Sequence, residues 1–128
     1  MLNPVTSLGE FSASDSPDFP FAETGLPYAP SAGVTPEAYK KLYDVSPIAH
    51  VSKVRTPVLL ILGESDRRVP PTQGKNYFHA LKARGGWVEM LTFAGEEHAL
   101  EGVEASRVTF EAIRDWFRMH TGSTRRDG

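Results

Sequence analysis

Five consecutive apolar residues, Val58-Leu59-Leu60-Ile61-Leu62, stand with no polar residue among them. A strand with one wet face alternates apolar and polar side chains. A run without alternation has both faces covered, which is the situation of a central strand in a parallel sheet. Thr56-Pro57 opens the run and Gly63 closes it. It falls far short of the roughly 20 apolar residues a membrane-spanning helix needs. No basic segment and hydrophobic run resembling a signal peptide follow Met1. The chain is therefore expected to be soluble and unexported.

The sequence on either side supplies partners for such a strand. Gly74, Tyr77, Phe78 and Leu81 form a helical stripe with Lys75, His79 and Lys82 outside it, and Gly85-Gly86 lies past its end. Trp87 to Phe93 is a second strand candidate, and Val103, Phe110, Ile113, Trp116 and Phe117 line one side of a terminal helix that Thr121-Gly122 stops. Strand, helix, strand, helix predicts a parallel α/β sheet with right-handed crossovers. An earlier helix starts with Thr35 as N-cap, Pro36 at the first helical position and Glu37 near the positive dipole end. It carries Tyr39, Leu42 and Tyr43 at helical spacing and ends at Ser46-Pro47. Upstream, Pro4, Pro17, Pro20, Pro27 and Pro30 disfavour a long regular element. Phe11, Phe19, Phe21 and Tyr28 in that stretch need a surface to cover. The chain thus divides into a loop-rich excursion plus helix at 1–45, strands and helices at 46–121 and a tail at 122–128, with no internal repeat.

Charge and cysteine content narrow the function classes. Fourteen basic against 16 acidic residues leave a net charge of -2, which offers no broad attraction to nucleic acid or an anionic membrane. Arg125-Arg126 is read as a solvated tail. The absence of cysteine removes disulfides, thiolate nucleophiles and Cys-ligated zinc, and is compatible with a reducing cytosol.

In an open α/β sheet functional groups gather beyond the carboxyl ends of the strands. Asp66, in Gly63-Glu64-Ser65-Asp66-Arg67-Arg68-Val69-Pro70, follows the first strand, and His98, in Gly95-Glu96-Glu97-His98-Ala99-Leu100, follows the second 32 residues later. A carboxylate after one strand and a histidine after the next is the order in which α/β-hydrolases deliver the later members of a Ser, Asp, His triad. The carboxylate would hold the ring with Nδ1-H toward Asp66, leaving Nε2 to take a proton from a nucleophile and pass it to the leaving group. Each residue alone also has a bland reading: Asp66 as turn former or helix cap, His98 as a packed or surface side chain. His50, His79 and His120 are read as structural. A metal site at His98 with Glu97 or Glu101 lacks a His-Glu-x-x-His motif or a second histidine at ligand spacing. No cofactor is implied. The nucleophile is missing: Ser65 has Arg67 where a nucleophile elbow needs its second glycine, and Ser31 has Gly33 after it but Ala29 before it.

Ser46-Pro47-Ile48, the stretch from Val54 to Gly63, Asp66-Arg67-Arg68-Val69-Pro70, Gln73-Gly74, Tyr77, Ala80-Leu81-Lys82 and His98-Ala99-Leu100 together resemble the end of the acylaminoacyl-peptidases, serine peptidases of the prolyl oligopeptidase family. Asn3-Pro4-Val5 and the Asp15 to Pro20 region are similar to the stretch after the nucleophile helix, so the resemblance covers nearly the whole chain. It implies that Asp66 and His98 are the triad aspartate and histidine, and that Arg68 helps bind a substrate carbonyl, with a surface salt bridge as its alternative role. It further implies a cytoplasmic, often oligomeric enzyme that joins a β-propeller to an α/β-hydrolase domain and releases N-acylated amino acids from blocked peptides. The propeller, first strands, Gly-x-Ser-x-Gly elbow and oxyanion-hole segments do not occur in these 128 residues.

The chain is therefore expected to be the C-terminal portion of such an enzyme, shortened by a gene-model start, a partial transcript or cloning. In isolation it should be inactive, unlabelled by a fluorophosphonate probe, and poorly ordered or aggregating where its open sheet lacks partners. The longer protein would take an N-acylated peptide as substrate, form a homo-oligomer, and bind neither nucleic acid nor membrane. Two other readings stand beside it. One is a non-enzymatic module docking through its open sheet; the other is a piece of a dipeptidyl peptidase or carboxylesterase relative.

Overall fold

The unbroken apolar run forms strand β1 (Val58–Gly63) in the computed structural model, which describes residues 1–11 and 14–122. β1 pairs in parallel with β2 (Val88–Phe93), from Val58 opposite Val88 to Gly63 opposite Phe93. Helix α3 (Pro71–Ala83) connects them. Because successive side chains leave a strand on opposite faces, β1 feeds two cores. Leu59 and Ile61 pack with Trp116 of helix α4 (Val103–Thr121), flanked by Leu91, Phe93 and Ile113. Leu60 packs with Tyr77 and Leu81 of α3, flanked by Val51, Val54 and Met90. Leu60, Ile61 and Leu62 are at most 1% exposed, so the lack of alternation reports burial on both faces. Each such side chain contributes roughly 1.5–3 kcal/mol when fully buried.

The helix signals act where the sequence places them. Thr35 Oγ1 accepts a 3.2 Å hydrogen bond from the Ala38 N–H at the start of α2 (Pro36–Asp44). Past its end the Ser46 hydroxyl donates to the Leu42 carbonyl at 2.6 Å, and Ser46 Oγ accepts from the Leu8 N–H at 2.9 Å. Gly74 lets α3 lie close on β1, since a Cβ there would sit 2.5 Å from Leu62 Cδ2.

Several features depart from the sequence-based reading. The proline-rich start contains a short helix α1 (Phe19–Thr24), where Pro20 occupies the first turn, a position that needs no N–H. Its aromatics pack in pairs, with ring centroids 5.6 Å apart for Phe11 and Phe19 and 5.3 Å apart for Phe21 and Tyr28, and Phe19 and Tyr28 stay exposed. The first residues are not loop alone: Leu2 bridges in parallel to Ile61, on the edge of β1 away from β2. Pro47–Lys53 forms a 3-10 segment that periodicity at 3.6 residues does not reveal. In α2 only Leu42 turns fully inward, while Tyr39 and Tyr43 are 40% and 42% exposed. In α4 the apolar stripe splits: Trp116 is buried, whereas Val103, Phe110 and Phe117 lie open among the described residues. Of the expected tail, residues 123–128, with Arg125 and Arg126, lie outside the described residues.

Candidate active site

β1 and β2 end side by side, so the loops that follow them meet. Two backbone bonds tie these loops, Glu64 N–H to Phe93 O at 3.0 Å and Ser65 N–H to Glu96 O at 2.9 Å. Gly63 stands where they touch: a Cβ there would lie 2.3 Å from Glu97 O and 2.5 Å from Glu96 O, so only glycine admits the second loop at this distance.

That closeness brings Asp66 to His98. Asp66 Oδ1 accepts from the backbone N–H groups of Arg68 and Val69, each at 2.9 Å, which uses the turn-forming habit of aspartate to fix its carboxylate. Asp66 Oδ2 lies 2.8 Å from His98 Nδ1. A carboxylate at that distance assigns the ring proton to Nδ1 and leaves Nε2 as the acceptor. The Asp66 side chain is 0% exposed and that of His98 42%, so the carboxylate is sealed behind a ring whose other edge is open. Glu96 Oε2 closes the histidine loop by accepting from the Gly102 N–H at 3.2 Å.

His98 borders two clefts. One, of about 570 Å³, is lined by Asp15, Arg67, Arg68, Glu96, Glu97 and His98 among others. The other, of about 530 Å³, is walled by Leu2, Val5, Phe11 and Phe19, again with Arg68 and His98. Arg68 thus lines both clefts with His98, and it enters no ion pair among the described residues. A guanidinium with no carboxylate partner among the described residues can offer its fork of donors to an oxygen acceptor.

Ser65 is exposed but sits between Glu64 and Asp66 on this loop, and no serine hydroxyl is hydrogen-bonded to His98 among the described residues. The other histidines make contacts of their own. His50 Nε2 lies 2.7 Å from Asp44 O, His79 meets the Phe78 ring edge-on, and His120 packs against Trp87 and Trp116. No group of acidic and histidine residues able to hold a metal occurs among the described residues. No described helix is long and apolar enough to cross a membrane. One polar residue at the site escaped the sequence reading: Asn3, 6% exposed, contacts both loops. Its partners lie so far along the chain that no local pattern marks it.

Residues 3–124 match the sequence profile of the prolyl oligopeptidase family. The chain is 42% identical over 122 residues to the acylamino-acid-releasing enzyme of Rattus norvegicus, covering 94% of this chain and 17% of that protein. Against the acylamino-acid-releasing enzyme of Homo sapiens the identity is 38%, with the same coverage of both chains. The chain thus spans about a sixth of the length of these curated relatives. Among solved structures, a Mycobacterium tuberculosis puromycin-hydrolyzing peptidase superposes with a TM-score of 0.80 at 24% identity, over 94% of this chain and 18% of that one. A Pyrococcus horikoshii acylaminoacyl peptidase gives 0.78 at 20% identity, over 98% and 20%. The fold is part of an α/β-hydrolase, as the family resemblance implied, and it contains the parallel α/β pairing that the strand and helix order predicted.

Proposed function

This chain belongs to the prolyl oligopeptidase family, and from that premise we propose that it carries the acid-base side of a serine peptidase releasing N-acylated amino acids from blocked peptides. One observation carries the reading: at the ends of adjacent parallel strands, a sealed Asp66 carboxylate holds His98 by Nδ1 at 2.8 Å while the ring opens onto a cleft. In the proposed reaction Nε2 removes the proton of a serine hydroxyl as that oxygen attacks the scissile carbonyl, and then gives it to the departing amine. Asp66 keeps the ring in the tautomer that leaves Nε2 basic and stabilises the imidazolium formed midway. Arg68 donates to a substrate carbonyl beside His98, and the apolar wall of Phe11 and Phe19 suits an amino-acid side chain.

The substrate class rests on the acylamino-acid-releasing enzymes of rat and human, which the chain resembles through nearly its whole length. A C-terminal position in a longer, cytoplasmic, homo-oligomeric peptidase belongs to the same proposal. No Gly-x-Ser-x-Gly occurs in these 128 residues, so the attacking serine would come from residues that precede them. By itself the chain should not label with a fluorophosphonate.

The test is a graft in which this chain replaces the matching 122-residue stretch of the rat relative. The graft should hydrolyse an N-acetylated amino-acid anilide, and His98→Ala should lower kcat/KM by at least about 10³-fold. A folded graft without activity, or one indifferent to His98→Ala, would refute the reading.

A further inference from the structure

We infer that Asn3 is a positioning residue for the Asp66–His98 pair, and the inference rests on the reading of that pair given above. Its carboxamide joins the two loops at once. Oδ1 accepts from the Gly63 N–H at 2.8 Å, at the last residue of β1 and three residues before Asp66. Nδ2 donates to the His98 carbonyl at 2.8 Å, fixing the backbone of the residue whose ring moves protons. The backbone of Asn3 is anchored independently by its own N–H to Ile61 O at 2.9 Å.

Chemistry restricts what else fits here. The position needs an acceptor and a donor on one short side chain, which a carboxamide supplies and a carboxylate does not. Asn3 also has φ of 38°, the single positive φ recorded for a non-glycine residue among the described residues. Asparagine tolerates the left-handed region better than most side chains. Backbone strain here accompanies a side chain turned across two loops rather than along the sheet edge. Gly63 and the carbonyls of Glu96 and Glu97 only permit the loops to approach. The Asn3 carboxamide, with the Ser65–Glu96 and Glu64–Phe93 backbone bonds, holds them there, and it alone of these acts on His98 directly.

The experiment uses the graft described above, with Asn3→Ala and Asn3→Asp as variants. Asn3→Ala removes both bonds. Asn3→Asp keeps an acceptor for Gly63 but sets an oxygen against the His98 carbonyl. Active sites are counted by fluorophosphonate titration to its endpoint, and kcat is expressed per titrated site. For both variants kcat per site should fall by about 10–100-fold, the scale of a misplacement of around 1 Å, with KM within about twofold of the parent. If kcat per site stays within about twofold while the melting temperature or the number of titratable sites falls, Asn3 is only a structural tie and the inference is overturned. The same holds if neither variant yields titratable sites. An inactive parent graft, or one that tolerates His98→Ala, overturns the functional reading and this inference together. A parent that needs His98 but ignores Asn3 overturns this inference alone.

Discussion

Gly63→Ala is the sharpest probe of how the fold holds the site, because one methyl group meets only backbone. The added Cβ would stand 2.3 Å from Glu97 O and 2.5 Å from Glu96 O, whereas ordinary contact begins near 3.4 Å. The carbonyls must therefore retreat by about 1 Å, since neither can rotate aside like the end of a side chain. β1 has little freedom to yield, paired as it is with β2 on one edge and with the chain start on the other. The displacement falls on the histidine loop, and His98 is the next residue along. Overpacking of this kind costs about 1–3 kcal/mol, and a 1 Å misplacement of a catalytic group costs on the order of 10²-fold in rate. The assay is kcat/KM and melting temperature of the graft, with Gly85→Ala as control. Gly85 has φ of 73° but nothing within 4 Å of an added Cβ, so its substitution strains the backbone far from the site. Gly85→Ala should lower stability and spare kcat. Should Gly63→Ala leave both kcat/KM and melting temperature within experimental scatter of the parent, the claim that loop contact sets the His98 position would be wrong.

Asp66→Asn should lower kcat/KM of the graft by about 10⁴-fold with little change in KM. The amide can still accept from the Arg68 and Val69 N–H groups, but it presents a donor to His98 and inverts the tautomer. Arg68→Met, which keeps the length of the side chain but not its donors, should raise KM or lower kcat/KM about tenfold and leave the melting temperature unchanged, consistent with a guanidinium that enters no ion pair among the described residues. Acid titration should expose the pairs on α4. Hydrogen bonding from Arg107 holds the Glu104 carboxyl below its ordinary value, and Arg114 does the same for Asp115. A carboxyl depressed by folding stabilises the fold above its unfolded pKa, near 4, and that contribution fades as pH drops through the folded value. Both are fully exposed, so the loss in melting temperature below pH 4 should be small and should shrink further in high salt.

What could be read from the sequence is what leaves a mark along the chain. Burial of β1 on both faces removes polar residues from five consecutive positions, and a crossover helix between parallel strands spaces Asp66 from His98 by 32 residues. Both follow from local repeats of known period, so strand, helix and the loops beyond them were legible, and with them the strand-end positions of Asp66 and His98 that the structure brings together. Asn3 left no such mark. Its partners Gly63 and His98 stand 60 and 95 residues away, and the bonds satisfy backbone groups that every residue carries. Gln73 was equally hidden as a structural residue: it is 2% exposed, taking the Thr6 and Ser7 N–H groups on Oε1 and donating from Nε2 to the carbonyls of Ser7 and Glu10. A glutamine on an inward helix face reads as an interruption of the apolar stripe, yet here it replaces the sheet pairing that the start of the chain lacks beyond Asn3. Apolar pattern therefore places the strands that aim Asp66 and His98, while polar contacts with no period set the last ångström between them. That division explains why substitutions at Asn3 and Gly63 should act on kcat through the loops they hold.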